Sequence, residues 1–540
     1  MFFNQYRNRW FRRQRARFRA AQALSSSQDP LRLLAIGCEL ENIALAEPGV
    51  IKADLKKIQP ALAGHGEDLL RQIFLAQELW QSIMPALLEA HNGSASLSRM
   101  AMPNSWQAVL QKKGNRFRNF DWVYVQFRTC LHNLARTGAT LITAWRASPL
   151  QINAHPKVLV QNLPSTNTEG STAQQKLGFV SSLRSAGVLK DGLVWSHIIG
   201  ACKRQPHPVT TASIVSGTSF PMSYNKLGCV SLTLFALRLF VWGLVGLIGK
   251  KWWRPFLVYE LFLAACYDQS DAVGDVKTVV FHNSDYILRP AWSYLAESQG
   301  ADVWLAFYST NIETFSISPE HPRPQYPGFT GMTWPAYAVW DIYQKDFLVH
   351  TGVDRGRIRI VGPISISGNA ERLPAIPESS IAVFDISPHR PSELAARGLV
   401  HPYFQTKNAI KFLEHIHDAM RARGGTMLIK QKREMGKSAA GPYQKFMRNL
   451  AKEPDVLFIA PSFDACQLID QVDAVISYPF TSTAILGQLA GKPSAFYDPL
   501  GVWGGEARLS HGIEVIASER ALSDWIGRAL SDSTSNRSII

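Results

Sequence analysis

The sequence predicts an α/β protein with two successive lobes of the doubly wound type, preceded by a helical N-terminal region. Three observations predict it. Short apolar, β-branched runs alternate with helical stretches from about residue 156 onward, as buried strands of a parallel sheet do. The Pro-rich stretch Leu373-Pro374-Ala375-Ile376-Pro377 interrupts this series, and a second series of the same kind follows. Before residue 150, strand-like runs are scarce and the apolar spacing is helical. The chain's 540 residues are 46% hydrophobic and only 18% charged, which excludes a disordered chain, a collagen-like chain or a simple coiled coil.

Residues 1–30 form a basic segment. Arg7, Arg9, Arg12, Arg13, Arg15, Arg17 and Arg19 precede the first acid, Asp29, and Phe2, Phe3, Tyr6, Trp10, Phe11 and Phe18 are interleaved with them. Written as a helix, this segment suits an anionic membrane surface, with arginines at the headgroups and rings at the interface. A solvated tail is the plain alternative. With no zinc-finger spacing, RNP-like strand or heptads in the sequence, nucleic acid is not an expected partner. Residues 31–150 follow as the helical region. Leu69, Leu70, Ile73, Phe74, Leu79 and Trp80 keep a 3.6-residue period, and Pro85 predicts a kink.

The first lobe spans 151–365, with strands expected at Lys157–Val160, Val276–Phe281, Val303–Phe307 and Ile358–Val361 and a helix at Pro290–Gln299. An insertion at 228–254 departs from this pattern. Gly228–Gly249 is almost wholly apolar apart from Arg238, and Lys250-Lys251-Trp252-Trp253-Arg254 follows. Its length matches a membrane span, but a span would separate the strands near 156 and 276 and leave Arg238 in hydrocarbon. The other two readings are a helix buried in the protein and a helix lying in the interface with Trp252 and Trp253 at headgroup level. The second lobe spans 378–540. Its strands are expected at Ile381–Phe384, Met427–Ile429, Val456–Ile459, Ala474–Ile476 and Ser494–Tyr497, with an amphipathic helix at Ile410–Arg423 closed by Gly424-Gly425. The six cysteines, at 38, 130, 202, 229, 266 and 466, form no CxxC pair or metal-ligand spacing, so a reducing compartment is expected.

The most informative stretch runs from Val472 to Pro493 as strand, turn, helix and turn. Pro479 ends the strand, and Thr481, Ser482 and Thr483 stand where the helix begins. A helix start presents unpaired N–H groups and partial positive charge, and hydroxyls add donors, which together suit a phosphate. The plain alternative is that Thr481 or Ser482 is only an N-cap.

This stretch, with its closing Gly491-Lys492-Pro493, resembles the donor-binding half of GT-B glycosyltransferases. More narrowly, Pro479-Phe480-Thr481-Ser482 resembles the motif of the bacterial polysaccharide-biosynthesis family named PFTS, supported by Trp334–Asp341, Val361-Gly362-Pro363-Ile364 and Phe384-Asp385 with Pro388. The resemblance covers roughly 155 to 500. It implies a GT-B-like pair of Rossmann-like lobes, the first on the acceptor side and the second holding a donor nucleotide, and a part in making surface polysaccharide.

Candidate donor-binding residues are Thr481, Ser482 and Thr483, together with Lys430, Lys432 and Arg433 after the strand at 427–429. Related transferases carry a His-Pro pair near that second place, and this chain does not. Asp385, His389 and Arg390, in the first turn of the second lobe, are candidates for a ribose hydroxyl, the acceptor or phosphate. His282, Asp285 and Glu313 follow first-lobe strands and are candidates for the general base of an inverting transfer. No DxD pair stands at a strand end, since Asp341 and Asp346 are separated, so no metal is implied. The expected function is transfer of a sugar from a nucleotide-activated donor, a substrate rather than a cofactor, to a lipid-linked or growing glycan. The expected place is the cytoplasmic face of the inner membrane, peripheral or monotopic, on an anionic surface. A nucleotide-sugar epimerase, a glycerophosphate-type transferase and a non-catalytic scaffold of an assembly complex remain open alternatives.

Overall fold

A computed structural model of the chain describes residues 39–43, 45, 48–75, 103–112, 119–146, 155–164, 179–199, 214–217, 220–248, 251–283, 286–310, 316–318, 321–324, 329–364, 373–386, 388, 405–431, 439–461, 463–501 and 510–537. The basic segment, Pro85 and the candidates Asp285, Glu313, His389, Arg390, Lys432 and Arg433 lie outside the described residues.

The N-terminal helices are α1 (Pro48–Leu55), α2 (Gly66–Ile73), α3 (Asn104–Lys112) and α4 (Asn119–Arg146). The first lobe carries β1 (Val158–Pro164), β2 (Val194–Ile199) and β3 (Ile214–Gly217), then the helical hairpin α5 (Lys226–Ile248) and α6 (Arg254–Asp268). It continues with β4 (Thr278–His282), α7 (Ala291–Ser298), β5 (Asp302–Ala306) and the small hairpin β6 (Ser316–Ser318) and β7 (His321–Pro324). It closes with β8 (Ala336–Val339), α8 (Ile342–His350) and β9 (Ile358–Ile360). The second lobe runs β10 (Ser380–Phe384), α9 (Thr406–Arg421), β11 (Thr426–Lys430), α10 (Gly441–Leu450), β12 (Val456–Ile459), α11 (Ala465–Gln471), β13 (Ala474–Ser477), α12 (Ser482–Leu489), β14 (Ser494–Tyr497), β15 (Glu514–Ile516) and α13 (Glu519–Arg537).

The strands form a seven-stranded sheet of order β3-β2-β1-β4-β5-β8-β9 and a six-stranded sheet of order β12-β11-β10-β13-β14-β15. Neighbouring strands in both are parallel. These are two Rossmann-like lobes in tandem, the GT-B-like arrangement expected from the sequence. In each, the strand order reverses at one point, β1/β4 and β10/β13, and in open α/β sheets such a point is where ligands bind, outside the carboxyl ends of the strands. Strands β2, β3, β8 and β15 were not anticipated. Ser196 and His197 interrupt β2, β8 reads Ala-Tyr-Ala-Val, and β15 is three residues long.

Each sheet is covered on both faces. Leu159, Val279 and Leu305 pack under the helices, while Val158, Val160, Val280 and Ala306 meet Phe179 and Leu183 on the other side. The N-terminal helices belong to this core. Gln72 of α2 is fully buried, its Nε2 donating to Thr333 Oγ1 (2.6 Å) and Gly331 O (3.2 Å) while its Oε1 accepts from Arg289 N–H (3.0 Å).

The α5–α6 hairpin is held at both ends. At its base Ser270 Oγ donates to Pro221 O (2.8 Å) and accepts from Ser223 N–H (3.2 Å). At its tip the buried Asp54 of α1 accepts from Lys251 Nζ (2.9 Å), Trp253 Nε1 (3.3 Å) and Arg254 Nε (2.8 Å) and Nη2 (2.6 Å). Burial alone would raise the Asp54 carboxyl, but the hydrogen bonds and charges of Arg254 and Lys251 outweigh it and hold the group below its usual range. This corrects the placement of Trp253 and its basic neighbours at lipid headgroups. Trp253 is buried, and Lys251 and Arg254 both pair with one acid some 200 residues upstream that no local pattern signals. The hairpin is not a wholly buried core element either, because α5 leaves one face exposed.

The lobes meet at Trp340. It follows β8 and donates from Nε1 to Phe307 O (2.6 Å), yet its ring packs in the second-lobe core. Beside it, Asp341 Oδ2 pairs with His511 Nδ1 of the second lobe (2.5 Å).

Candidate functional site

Strands β10, β11 and β13 end side by side. Phe384 is in register with Ser477 and Val383 with Ile429, and Tyr478 N–H donates to Phe384 O (2.8 Å). Asp385, Lys430-Gln431 and the turn after Ser477 therefore share one edge at the switch point of the second sheet. Strand alternation sorts them by face. Val383 and Ile429 pack in the core that holds α9 and α10, so Asp385 and Gln431, two residues on, face that side. Phe384 and Leu428 pack with α11, and Lys430 and Ser477 face with them.

Asp385 is 6% exposed. Tyr443 of α10 donates its hydroxyl to Oδ2, whereas Oδ1 is buried without a hydrogen-bond partner. Burial pushes this carboxyl up to about 7, because the charged form loses its hydration. Gln431 is 7% exposed, and its Nε2 is also buried without a partner. An acceptor and a donor left open at adjacent strand ends are costly unless a ligand uses them. Lys430 is buried on the other face and donates from Nζ to Pro461 O (3.4 Å). Burial lowers its ammonium against the pull of Asp464.

The turn after β13 is shaped by its four residues. Pro479 cannot extend the ladder. Phe480 takes φ 62°, the left-handed region that bulky residues avoid, with its ring buried against Phe496 at 5.4 Å. Thr481 is the N-cap of α12, but its side chain makes no capping bond. Its hydroxyl turns back to Tyr478 O (3.1 Å) and lies 3.3 Å from Thr483 Oγ1, which lies 2.8 Å from Ser477 Oγ. The first-turn amides of α12 thus keep the anion-binding character of a helix start. Gly487 lets α12 close on the sheet: a Cβ there would lie 2.8 Å from Val475 Cγ2 and 2.4 Å from Ser494 Oγ.

Two residues at this edge escaped the sequence reading. Tyr443 is 58 positions from the carboxylate it meets. Asp498, fully buried after β14, accepts from Leu500 N–H (2.9 Å). Burial first, then Asp498 and Asp385, push the Tyr478 phenol upward. An Asp-Pro pair directly after a strand was the available signal for Asp498.

On the first lobe His282 ends β4, 3% exposed and edge-on to Tyr308 at 5.6 Å. Next to it Asn283 accepts from Tyr308 N–H (3.2 Å) and donates to Ser309 Oγ (3.4 Å). Gln344 donates to Ser309 O (3.2 Å) and accepts from Trp340 N–H (2.8 Å). The carboxyl ends of β4, β5 and β8 are thereby tied together beside the second lobe. Asp341 caps α8 through Gln344 N–H (2.9 Å), and Asp346 pairs with Arg355 (2.7 Å), so the two acids serve different partners. A separate cluster, His417, Glu453 and Asp455, lies before β12, and Arg421 supplies its positive charge by bonding both carboxylates.

Residues 235–526, more than half of the chain, match the family model described as polysaccharide biosynthesis PFTS motif protein. The chain belongs to this family. The Pro479–Ser482 turn lies inside the matched range. No curated protein matches the sequence. Among solved structures, UDP-GlcNAc 2-epimerase from Methanocaldococcus jannaschii is similar at 10% identity, covering 69% of this chain and 92% of that one with a TM-score of 0.38. Anabaena Alr3699/HepE in complex with UDP and glucose is similar at 11% identity, covering 70% and 91% with a TM-score of 0.36.

Proposed function

We propose that this PFTS-family protein is a glycosyltransferase that moves a sugar from a nucleotide-activated donor to a lipid-linked or growing surface polysaccharide. The observation that carries the reading is the pair of unfilled polar atoms, Asp385 Oδ1 and Gln431 Nε2, beside the start of α12 at the second-lobe switch point. In this reading the donor phosphates lie at the Thr481–Thr483 turn, with Lys430 adding positive charge as the leaving group gains negative charge. Asp385 accepts a hydroxyl of the ribose or sugar and Gln431 donates to the base or sugar. The acceptor enters from the first-lobe edge at His282.

A thermal-shift panel of nucleotides and nucleotide sugars tests it. A nucleoside diphosphate or its sugar is expected to stabilise the folded chain, by about 2.7 kcal/mol at a hundredfold excess over Kd. Thr481→Ala/Ser482→Ala is expected to lose most of that response. No response across the panel, or equal binding by the double variant, would sink the phosphate site. Product analysis then separates a transferase from an epimerase, which alters a soluble sugar with no acceptor.

A further inference from the structure

We infer that the outward face of α4 and α5 is a membrane-docking surface that seats the protein flat on a lipid bilayer. Among the described residues, thirteen of the seventeen exposed large hydrophobic side chains lie on these two helices. On α5 they run as a stripe at helical spacing: Leu227, Val230, Leu234, Leu237, Phe240, Val241, Val245 and Ile248, with Leu227 80% and Ile248 92% exposed. On α4 the outward positions are Tyr124, Phe127, Leu131, Ile142 and Trp145. The helices are antiparallel neighbours. Cys229 Sγ contacts Ala144 O at 3.9 Å, and a Cβ on Gly243 would lie 3.6 Å from Cys130 Sγ. Both rest on the largely buried α6, which leaves their free faces on the same side. Trp145 Nε1 donates to Thr233 Oγ1 (3.1 Å) across the exposed seam and joins the stripes. An apolar patch of this extent on a soluble monomer marks an interaction surface.

Charge selects lipid as the occupant. Asp121, at the start of α4, is the one acid in 119–146 and 226–248, against the bases Arg128, Arg136, Arg146, Lys226 and Arg238, the composition of a helix surface lying among anionic headgroups. The anchoring of the hairpin selects lying over crossing. At 23 largely apolar residues, α5 is long enough to span, but its base is clamped at Ser270 and its tip at Asp54. Arg238 donates sideways to Lys57 O. Crossing would break these ties and carry α4, with Arg128 and Arg136, into hydrocarbon. The inference stands apart from the transferase reading.

The test is flotation of the full chain with phosphatidylglycerol/phosphatidylethanolamine vesicles and with phosphatidylcholine vesicles, at low and high salt. Apolar insertion survives high salt and the loss of anionic lipid, whereas attraction of the basic N-terminal segment alone does not. The parent is expected to float in all arms, most strongly on the anionic vesicles. Leu234→Glu/Leu237→Glu/Val241→Glu is expected to partition at least ~100-fold more weakly with an unchanged melt. Hydrogen exchange on the parent gives a second measurement that needs no variant: 226–248 and 124–145 should gain protection with vesicles. Equal flotation of the triple variant, no vesicle-dependent protection, or a lipid-free dimer that uses this face and does not float would each overturn the inference. Resistance of the parent to alkaline extraction from native membranes would overturn the flat orientation.

Discussion

Asp385 offers the sharpest test of the site, because its two oxygens are treated so differently. One accepts from Tyr443 and the other has no partner in a nearly dry position. The carboxyl is raised from 3.8 to about 7, chiefly by burial. For an acid, a raised folded-state value means that the neutral form fits the fold and the charged form strains it. The stability is therefore fully present below about pH 4 and declines as pH rises toward 7, above which it levels off. Three units at 1.36 kcal/mol each make that decline about 4 kcal/mol. Asp385→Asn keeps the shape and an acceptor for Tyr443 but removes the ionisation. Denaturant melts at pH 5 and pH 8 measure the difference. The variant is expected to exceed the parent by about 1.5 kcal/mol at pH 5 and by about 4 kcal/mol at pH 8. At pH 8, where the parent carboxyl is ionised, the variant should also bind nucleotide sugar at least ~10-fold more weakly, having lost a charged acceptor. A parent–variant difference that does not change with pH would refute the reasoning, because Asp385 would then be an ionised, satisfied carboxylate.

Asp54→Ala leaves Arg254 and Lys251 without their buried partner and is expected to cost about 3–5 kcal/mol in denaturant melts at pH 7. Because the Asp54 carboxyl is held low, its contribution is present above pH 4 and lost as pH falls further, so parent and variant should converge in acid. Gly487→Ala drives a Cβ onto Val475 and Ser494 and is expected to destabilise by about 1–3 kcal/mol; an unchanged melt would mean that α12 lifts freely from the sheet. Lys430→Met replaces a buried amine by an apolar chain of similar volume. It is expected to leave stability within about 1 kcal/mol while weakening nucleotide affinity about tenfold; titration calorimetry separates the two effects, and unchanged affinity would remove Lys430 from the site.

The parts of the fold legible in the sequence were those specified locally. Thr278-Val279-Val280-Phe281 and Ser380-Ile381-Ala382-Val383-Phe384 announce buried strands because a run of apolar, often β-branched residues has few other uses. Strand β8 hides because it is four residues long and half alanine, which strands disfavour, and β2 because its polar residues break the run. The Pro479–Thr483 turn was visible for the same local reason. The long-range partners that surround it were not. Tyr443 reaches Asp385 across 58 positions, His511 reaches Asp341 across 170, and Arg254 reaches Asp54 across 200. Those pairings are made by tertiary packing, and each side chain alone reads as an ordinary surface residue.

The motif at the heart of the site can be weighed letter by letter. Holding Phe480 at φ 62° costs about 1–2 kcal/mol for a residue with a Cβ. Burying its ring against Phe496 contributes about 2–3 kcal/mol, so burial wins and the turn is held by the aromatic side chain. A glycine would relieve the backbone but release the anchor, and the turn would lose its buried ring contact with Phe496. With the turn so held, the Thr481 hydroxyl bonds backward to Tyr478 O instead of forward onto the helix. Proline stops the strand, phenylalanine aims the turn, threonine ties it to the strand end, and serine opens the helix beside the switch point. The strain sits at the carboxyl end of the strand beside the switch point, where the proposed donor phosphates lie, and it is the burial of the ring that offsets it.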